Sequence, residues 1–235
     1  MKKNREEFAF PMRRYERVIG MLYIPVHAYL LPLALYIVLN LLGKAELDGA
    51  RMELWYYAIS SLFLLLALNR YWRATIRDFG GAPVRALQAV ILGFVLYFAA
   101  DWAVAYVMSL FMDNLTNPNS AAVIDTITRD PQTMMLVTVL LAPIAEETMF
   151  RGALFGTIRG KSRFAAYAVS ALLFALYHLW GYMFTGEGLG VLVYLPQYIP
   201  AGIALAWCYE RSGSLVAPVA LHALVNFVAT VGVAG

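Results

Sequence analysis

Read for apolar runs long enough to cross a hydrocarbon core, roughly 20 helical residues each, the chain divides into seven: 18–42, 54–72, 86–112, 132–156, 164–180, 189–209 and 214–233. Short polar breaks separate them. The longest break, MDNLTNPNSAAVIDTITRDP at 112–131, is dense in turn-forming Asn, Pro and Asp and reads as an exposed loop. The pattern predicts an all-α, polytopic membrane helix bundle of about seven transmembrane helices. Pro25 and Pro32 predict kinks in the first of them.

Composition agrees with that solvent. Of 235 residues 61% are hydrophobic and 14% charged, with a mean hydropathy of +0.65, which lies outside the range of soluble domains. The opening MKKNREEFAFPMRRYERV is basic, but the apolar run behind it is too long for a signal peptide and lacks a small-residue cleavage site, so it reads as a retained helix. The single cysteine, Cys208, excludes an intrachain disulfide framework and a CxxC metal motif.

Charge sets the expected orientation. Lys2, Lys3, Arg5, Arg13, Arg14 and Arg17 precede the first run. Arg70, Arg73, Arg77 and Arg85 follow the second; Arg159, Lys161 and Arg163 follow the fourth; Arg211 follows the sixth. The alternate loops hold only Lys44, Arg51 and Arg129. By the positive-inside rule the N-terminus is cytoplasmic, in the plasma membrane if the source is bacterial. The +3 net charge is then topology signalling, with the lipid bilayer as partner and no nucleic acid. The sequon at Asn114 reads as chance, His27 as a locally satisfied polar group, and Asp101 as a carboxylate with one structural hydrogen bond.

The stretch APIAEETMFRG, 142–152, breaks the apolar pattern most sharply. An ionisable residue at the centre of a membrane helix costs about 2.5–3.5 kcal/mol, so Glu146, Glu147 and Arg151 together cost roughly 8–10 kcal/mol before pairing. Glu147 and Arg151, at i and i+4, can pair on one helix face. Glu146 points about 100° away from Glu147 and is left to face another partner. Pro143 bends the helix beside a cavity, and Gly152 with Gly156 permits close helix approach. The two other histidines, His178 and His222, sit in later apolar runs, with Asn226 one turn after His222. A glutamate, two histidines and an asparagine on three helices are groups that can activate a water and hold an oxyanion.

EETMFRG resembles the EExxxR motif, FALYH (Phe174 to His178) the FxxxH motif, and HALVN (His222 to Asn226) the HxxxN motif of the CPBP intramembrane proteases, which include the type II CAAX prenyl endopeptidases and the bacterial Abi proteins. The resemblance covers about 132–230 and divides the single structural unit into an N-terminal transmembrane extension, 1–131, and a protease core, 132–235. It implies an endopeptidase acting on a membrane-associated or prenylated protein or peptide. Glu146 and His178 would activate water, and His222 and Asn226 would stabilise the oxyanion. Glu147, Arg151 and Phe174 would support them, Phe174 packing beneath the His178 ring. The expected mechanism has Glu146 as base and no cofactor; zinc on Glu146, His178 and His222 is the open alternative. A non-enzymatic transporter or scaffold using the same buried groups is the alternative function. Substrate identity and oligomeric state are not legible in the chain.

Overall fold

The computed structural model describes residues 11–43, 49–113, 115–186 and 188–234. The sequon Asn114 and the charges Lys2, Lys3, Arg5 and Lys44 lie outside the described residues. Those described form nine helices and no strand: α1 (Arg14–Leu41), α2 (Gly49–Ala67), α3 (Asn69–Gly81), α4 (Pro83–Ser109), α5 (Pro118–Arg129), α6 (Pro131–Arg159), α7 (Arg163–Leu179), α8 (Ile199–Ser212) and α9 (Val216–Ala234). Five are long and apolar enough to cross a membrane. Two bent pairs, Gly49–Ala67 with Asn69–Gly81 and Gly188–Gln197 with Ile199–Ser212, bring the total to as many as seven if each is one span.

Three predicted segments differ in the structure. The run at 54–72 ends at Ala67, after which the chain turns by 85° into α3. The reason is amphipathicity: Tyr71, Trp72 and Thr75 are buried, while the intervening Arg70 and Arg73 are exposed, so α3 lies across the bundle end instead of continuing through it. The run at 189–209 is a 3-10 segment, Gly188–Gln197, meeting α8 at 47°. Its Pro196 and the Pro200 that follows interrupt a continuous α-helix. The loop at 112–131 contains α5, started by Asn117, whose side chain accepts from the Ser120 amide, with Pro118 at the first turn.

Side-chain contacts define two ends. At one, the Tyr71 amide donates to Glu16, Thr75 pairs with Ser214, and Arg159 and Arg163 pair with Glu210. At the other, Asn117 donates to Gln197 at 2.6 Å and Asn119 to Tyr198 at 3.1 Å, which ties α5 to the chain entering α8. A continuous core runs between them from Met12 to Leu221. Large apolar side chains on the outer surface, such as Leu41, Trp102 and Phe111, form the lipid-facing rim expected of a bundle whose solvent is hydrocarbon.

Small residues set the interhelix distances. A Cβ on Gly202 would fall 2.7 Å from the Cα of Ala171, so α7 and α8 touch there along their backbones. Gly20 of α1 approaches Ala153 of α6 equally closely, while Gly152 faces the ring of Tyr71.

Candidate active site

The helix carrying the two glutamates is not a regular α-helix. π-helical turns at Val137–Leu141 and Thr148–Phe155 interrupt α6, a feature frequent at functional sites. Sequence explains the first. The Ala142 amide donates five residues back, to Val137; the next amide in that register belongs to Pro143, which has none. The carbonyl of Thr138 is therefore released, and the Asn226 side-chain amide donates to it at 2.8 Å. The same device recurs in α1. Leu31 donates to Val26, Pro32 cannot donate to His27, and the Tyr56 hydroxyl donates to the His27 carbonyl at 2.9 Å. At Pro32 and Pro143, then, cross-helix hydrogen bonds replace backbone ones.

The two glutamates face different partners, as their angular separation requires. Glu147 and Arg151 are fully buried and pair at 2.9 Å. The same Glu147 oxygen accepts from Nδ1 of His222 at 2.9 Å. Arg151 also donates to the carbonyl of Gly202 at 3.2 Å and lies 4.4 Å from the Phe174 ring centre, so its charge meets a carboxylate, a carbonyl and a π face. Phe174 in turn packs on His178 with ring centres 4.6 Å apart.

Glu146 is 3% exposed. Its Oε1 accepts from the Tyr57 hydroxyl at 2.7 Å, and its Oε2 stands 3.9 Å from Nε2 of both His178 and His222. The tautomers follow from the partners: Nδ1 of His178 faces the Phe174 carbonyl at 2.8 Å and Nδ1 of His222 faces a carboxylate, both pure acceptors. Each Nδ1 therefore carries a hydrogen, and each ring turns its Nε2 toward Glu146. A separation of 3.9 Å exceeds a hydrogen bond and matches two bonds of about 2.8 Å meeting near a right angle at one intervening atom.

The donor types suit zinc, but the spacing does not. Two nitrogens and an oxygen at bond lengths of 2.0–2.1 Å around a tetrahedral ion stand roughly 3.3 Å apart. The 3.9 Å separations would have to close by about half an ångström, and among the described residues no group of three His, Cys, Asp or Glu side chains is arranged to hold an ion.

Two cavities, of about 610 and 330 Å³, share His178, Tyr198, His222 and Asn226 in their walls. Glu146 opens into the larger, Asp101 into the smaller. Glu146, His178, His222 and Asn226 thus meet where the two cavities adjoin, with Glu147 and Arg151 buried behind them, and Asp101 lines the smaller cavity.

Sequence reasoning missed the contribution of the N-terminal helices. From Glu146 a hydrogen-bonded chain passes through Tyr57 to Tyr177 at 3.1 Å, to His27 at 2.9 Å and to Ser60 at 2.7 Å. His27 is satisfied, though by Ser60 and Tyr177 of other helices and not locally, and it belongs to the hydrogen-bonded support of Glu146. The available signal was a polar stripe in α2, Glu53, Tyr57 and Ser60, at helical spacing within an apolar run.

Comparison with known proteins agrees with the motifs. Residues 129–228 match the family model for type II CAAX prenyl endopeptidase Rce1-like proteins. The chain is 26% identical over 141 residues to the candidate membrane peptidase YdiL of Bacillus subtilis, covering 60% of this chain and 53% of that one. It is 29% identical over 87 residues to the UPF0177 protein YxdF of Lactococcus lactis, covering 37% and 42%. The chain spans about half the length of the curated relatives it matches. No solved structure matches it. Through residues 129–228, where the three motifs build the centre just described, the chain is similar to the type II CAAX prenyl endopeptidase Rce1-like proteins.

Proposed function

We propose that the chain is an integral membrane endopeptidase in which Glu146 and His178 activate a water for attack on a peptide carbonyl. The observation that carries this reading is the buried, otherwise unpartnered Oε2 of Glu146 facing Nε2 of two histidines whose opposite nitrogens are fixed.

A water between Glu146 and His178 gives a proton to the carboxylate as its oxygen bonds to the carbonyl carbon. The oxyanion that forms is met by Asn226 and His222. Asn226 spends one Nδ2 hydrogen on Thr138 and has a second to donate. His222 takes a proton from solvent onto Nε2 before the attack, Glu147 balances the charge at its Nδ1, and the ring then donates that N–H to the oxyanion, in the way that a buried carboxylate supports the histidine of a catalytic triad. Collapse of the intermediate breaks the C–N bond, and the proton held by Glu146 passes to the departing amine. Tyr57, hydrogen-bonded to the other oxygen of Glu146, keeps the reactive oxygen aimed at the cavity. Glu147, Arg151 and Phe174 position His222 and His178.

A bound zinc ion would supply a water of lowered pKa, but the spacing favours the carboxylate as base. Activity that survives strong chelators supports this choice. A transporter or scaffold is the weaker reading, because a proton relay has no need of the Asn226 donor, and Asn226 is held in place by a purpose-freed carbonyl.

The test compares new protein termini in cells expressing the wild-type chain and Glu146→Gln at equal abundance. Termini that depend on Glu146 support a protease. Identical termini in both, with the protein folded and inserted, would remove the endopeptidase reading.

A further inference from the structure

We infer that the site takes its peptide from the less basic, non-cytoplasmic end of the bundle, and that the substrate is an internal, neutral or cationic segment of a chain, not a C-terminal carboxylate tail. The inference rests on the proposed endopeptidase reading and adds the side of entry and the class of substrate.

Helix direction supplies the first argument. α1, α4, α7 and α9 start at the end that holds Glu16, Arg85, Arg163 and Ser214, and α2, α6 and α8 start at the other. The cavity walls come from the late parts of the first group, such as Leu35 of α1 and Val233 of α9. From the second group they take the early parts, such as Met52 of α2 and Met134 of α6. α5 and Gly181 complete the rim. Every one of these choices places the opening at the end with α5.

The opposite half is filled. All eight residues of the π-helical turn Thr148–Phe155 are buried, and α3 lies across the end beyond them, held by Tyr71 to Tyr209 at 2.9 Å and by Thr75 to Ser214 at 3.1 Å. Both cavities walled by the site residues lie on the other side of this packing.

Charge identifies the sides. Arg51 and Arg129 stand at the cavity end. The other eleven described Lys and Arg residues outside the bundle centre stand at the closed end, among them Arg13, Arg73, Arg159 and Arg211. Positive charge is retained in the cytoplasm. The closed end is therefore cytoplasmic and the open end is not.

Wall chemistry then limits the substrate. Among the described residues the ionisable wall groups besides tyrosines are Glu53, Asp101, Glu146, His178 and His222, and no described Lys or Arg lines either cavity. Arg151 is turned away into its pair with Glu147. A C-a-a-X chain ends within three residues of its modified cysteine and would bring its terminal carboxylate among these acids without a cation to receive it. An internal peptide segment, neutral or bearing Lys or Arg, meets no such penalty.

Two measurements on the full chain test this. In a Cys208→Ala background, Thr128→Cys on α5 and Lys161→Cys at the closed end, both exposed, are probed in intact bacteria with a membrane-impermeant maleimide. Labelling of Thr128→Cys in intact cells, with Lys161→Cys labelled only after lysis, is the expected result. The reverse pattern overturns the side of entry whatever the enzyme does. The Glu146-dependent termini are then mapped on their proteins. Cuts at internal bonds in non-cytoplasmic segments support the inference, and cuts next to cytoplasmic C-termini overturn it while leaving the protease intact. Expected labelling with no Glu146-dependent termini overturns the protease reading and the substrate class with it, leaving only the side.

Discussion

Replacing Tyr57 by phenylalanine tests whether the N-terminal helices share in the chemistry. The ring stays and only the hydroxyl is lost, the one that donates to Oε1 of Glu146 at 2.7 Å and contacts Tyr177 at 3.1 Å. A hydrogen bond to a charged group contributes about 1.5–3 kcal/mol. A tenfold rate change corresponds to about 1.4 kcal/mol. If nearly all of that energy is used to aim the carboxylate, kcat falls roughly tenfold to a hundredfold. Tyr56→Phe is the control, because its hydroxyl donates to the His27 carbonyl and reaches Glu146 only through Tyr177 and then Tyr57; its effect should be several-fold smaller. Both variants are purified, reconstituted in liposomes and assayed on a peptide spanning a Glu146-dependent cleavage site, with rates normalised to monodisperse protein. Tyr57→Phe retaining wild-type kcat, or losing no more than Tyr56→Phe, would refute the reasoning and return α2 to a packing role.

Other consequences follow from the same contacts. Arg151→Met leaves Glu147 buried opposite His222 without its cation and should lower stability by about 3–5 kcal/mol; Glu147→Gln added to it should restore much of the folded protein, read as monodisperse protein after graded heating, without restoring cleavage. Gly202→Ala places a Cβ 2.7 Å from the Ala171 backbone, so it should lower the melting temperature and also displace the carbonyl that receives Arg151, whereas Gly181→Ala, with nothing within 4 Å, should change neither. Asn226→Ala should reduce kcat by about 10²–10³, the usual loss for one oxyanion donor, with little change in KM. Treatment with a strong chelator should leave cleavage unchanged, and a loss that zinc alone restores would transfer the role of base from Glu146 to a metal-bound water.

The centre was more legible than the scaffold around it. Glu146, Glu147 and Arg151 stand out because hydrocarbon makes each charge expensive, and their spacing alone foretold which two would pair. His178, His222 and Asn226 stood out once read together. The span boundaries were harder where hydropathy and amphipathicity conflict: Tyr71 and Trp72 add to the apolar average of 54–72, yet their alternation with Arg70 and Arg73 turns α3 across the bundle end. α5 was hidden by its polar composition, although Asn117 followed by Pro118 carries a helix start. Tyr57 and Tyr177 were missed because tyrosine counts as hydrophobic along a membrane helix. Its hydroxyl becomes visible only when the fold brings α2 and α7 to Glu146.

The central claim is that Glu146 activates water and does not itself attack the peptide. A single turnover of the reconstituted enzyme in ¹⁸O-labelled water, with mass analysis of the new C-terminus and of the enzyme peptide containing Glu146, tests it most directly. Water attack predicts one ¹⁸O in the product carboxylate from the first turnover and none in Glu146. Label in the glutamate side chain, or a first product that lacks it, would show an acyl intermediate on the enzyme and contradict the account.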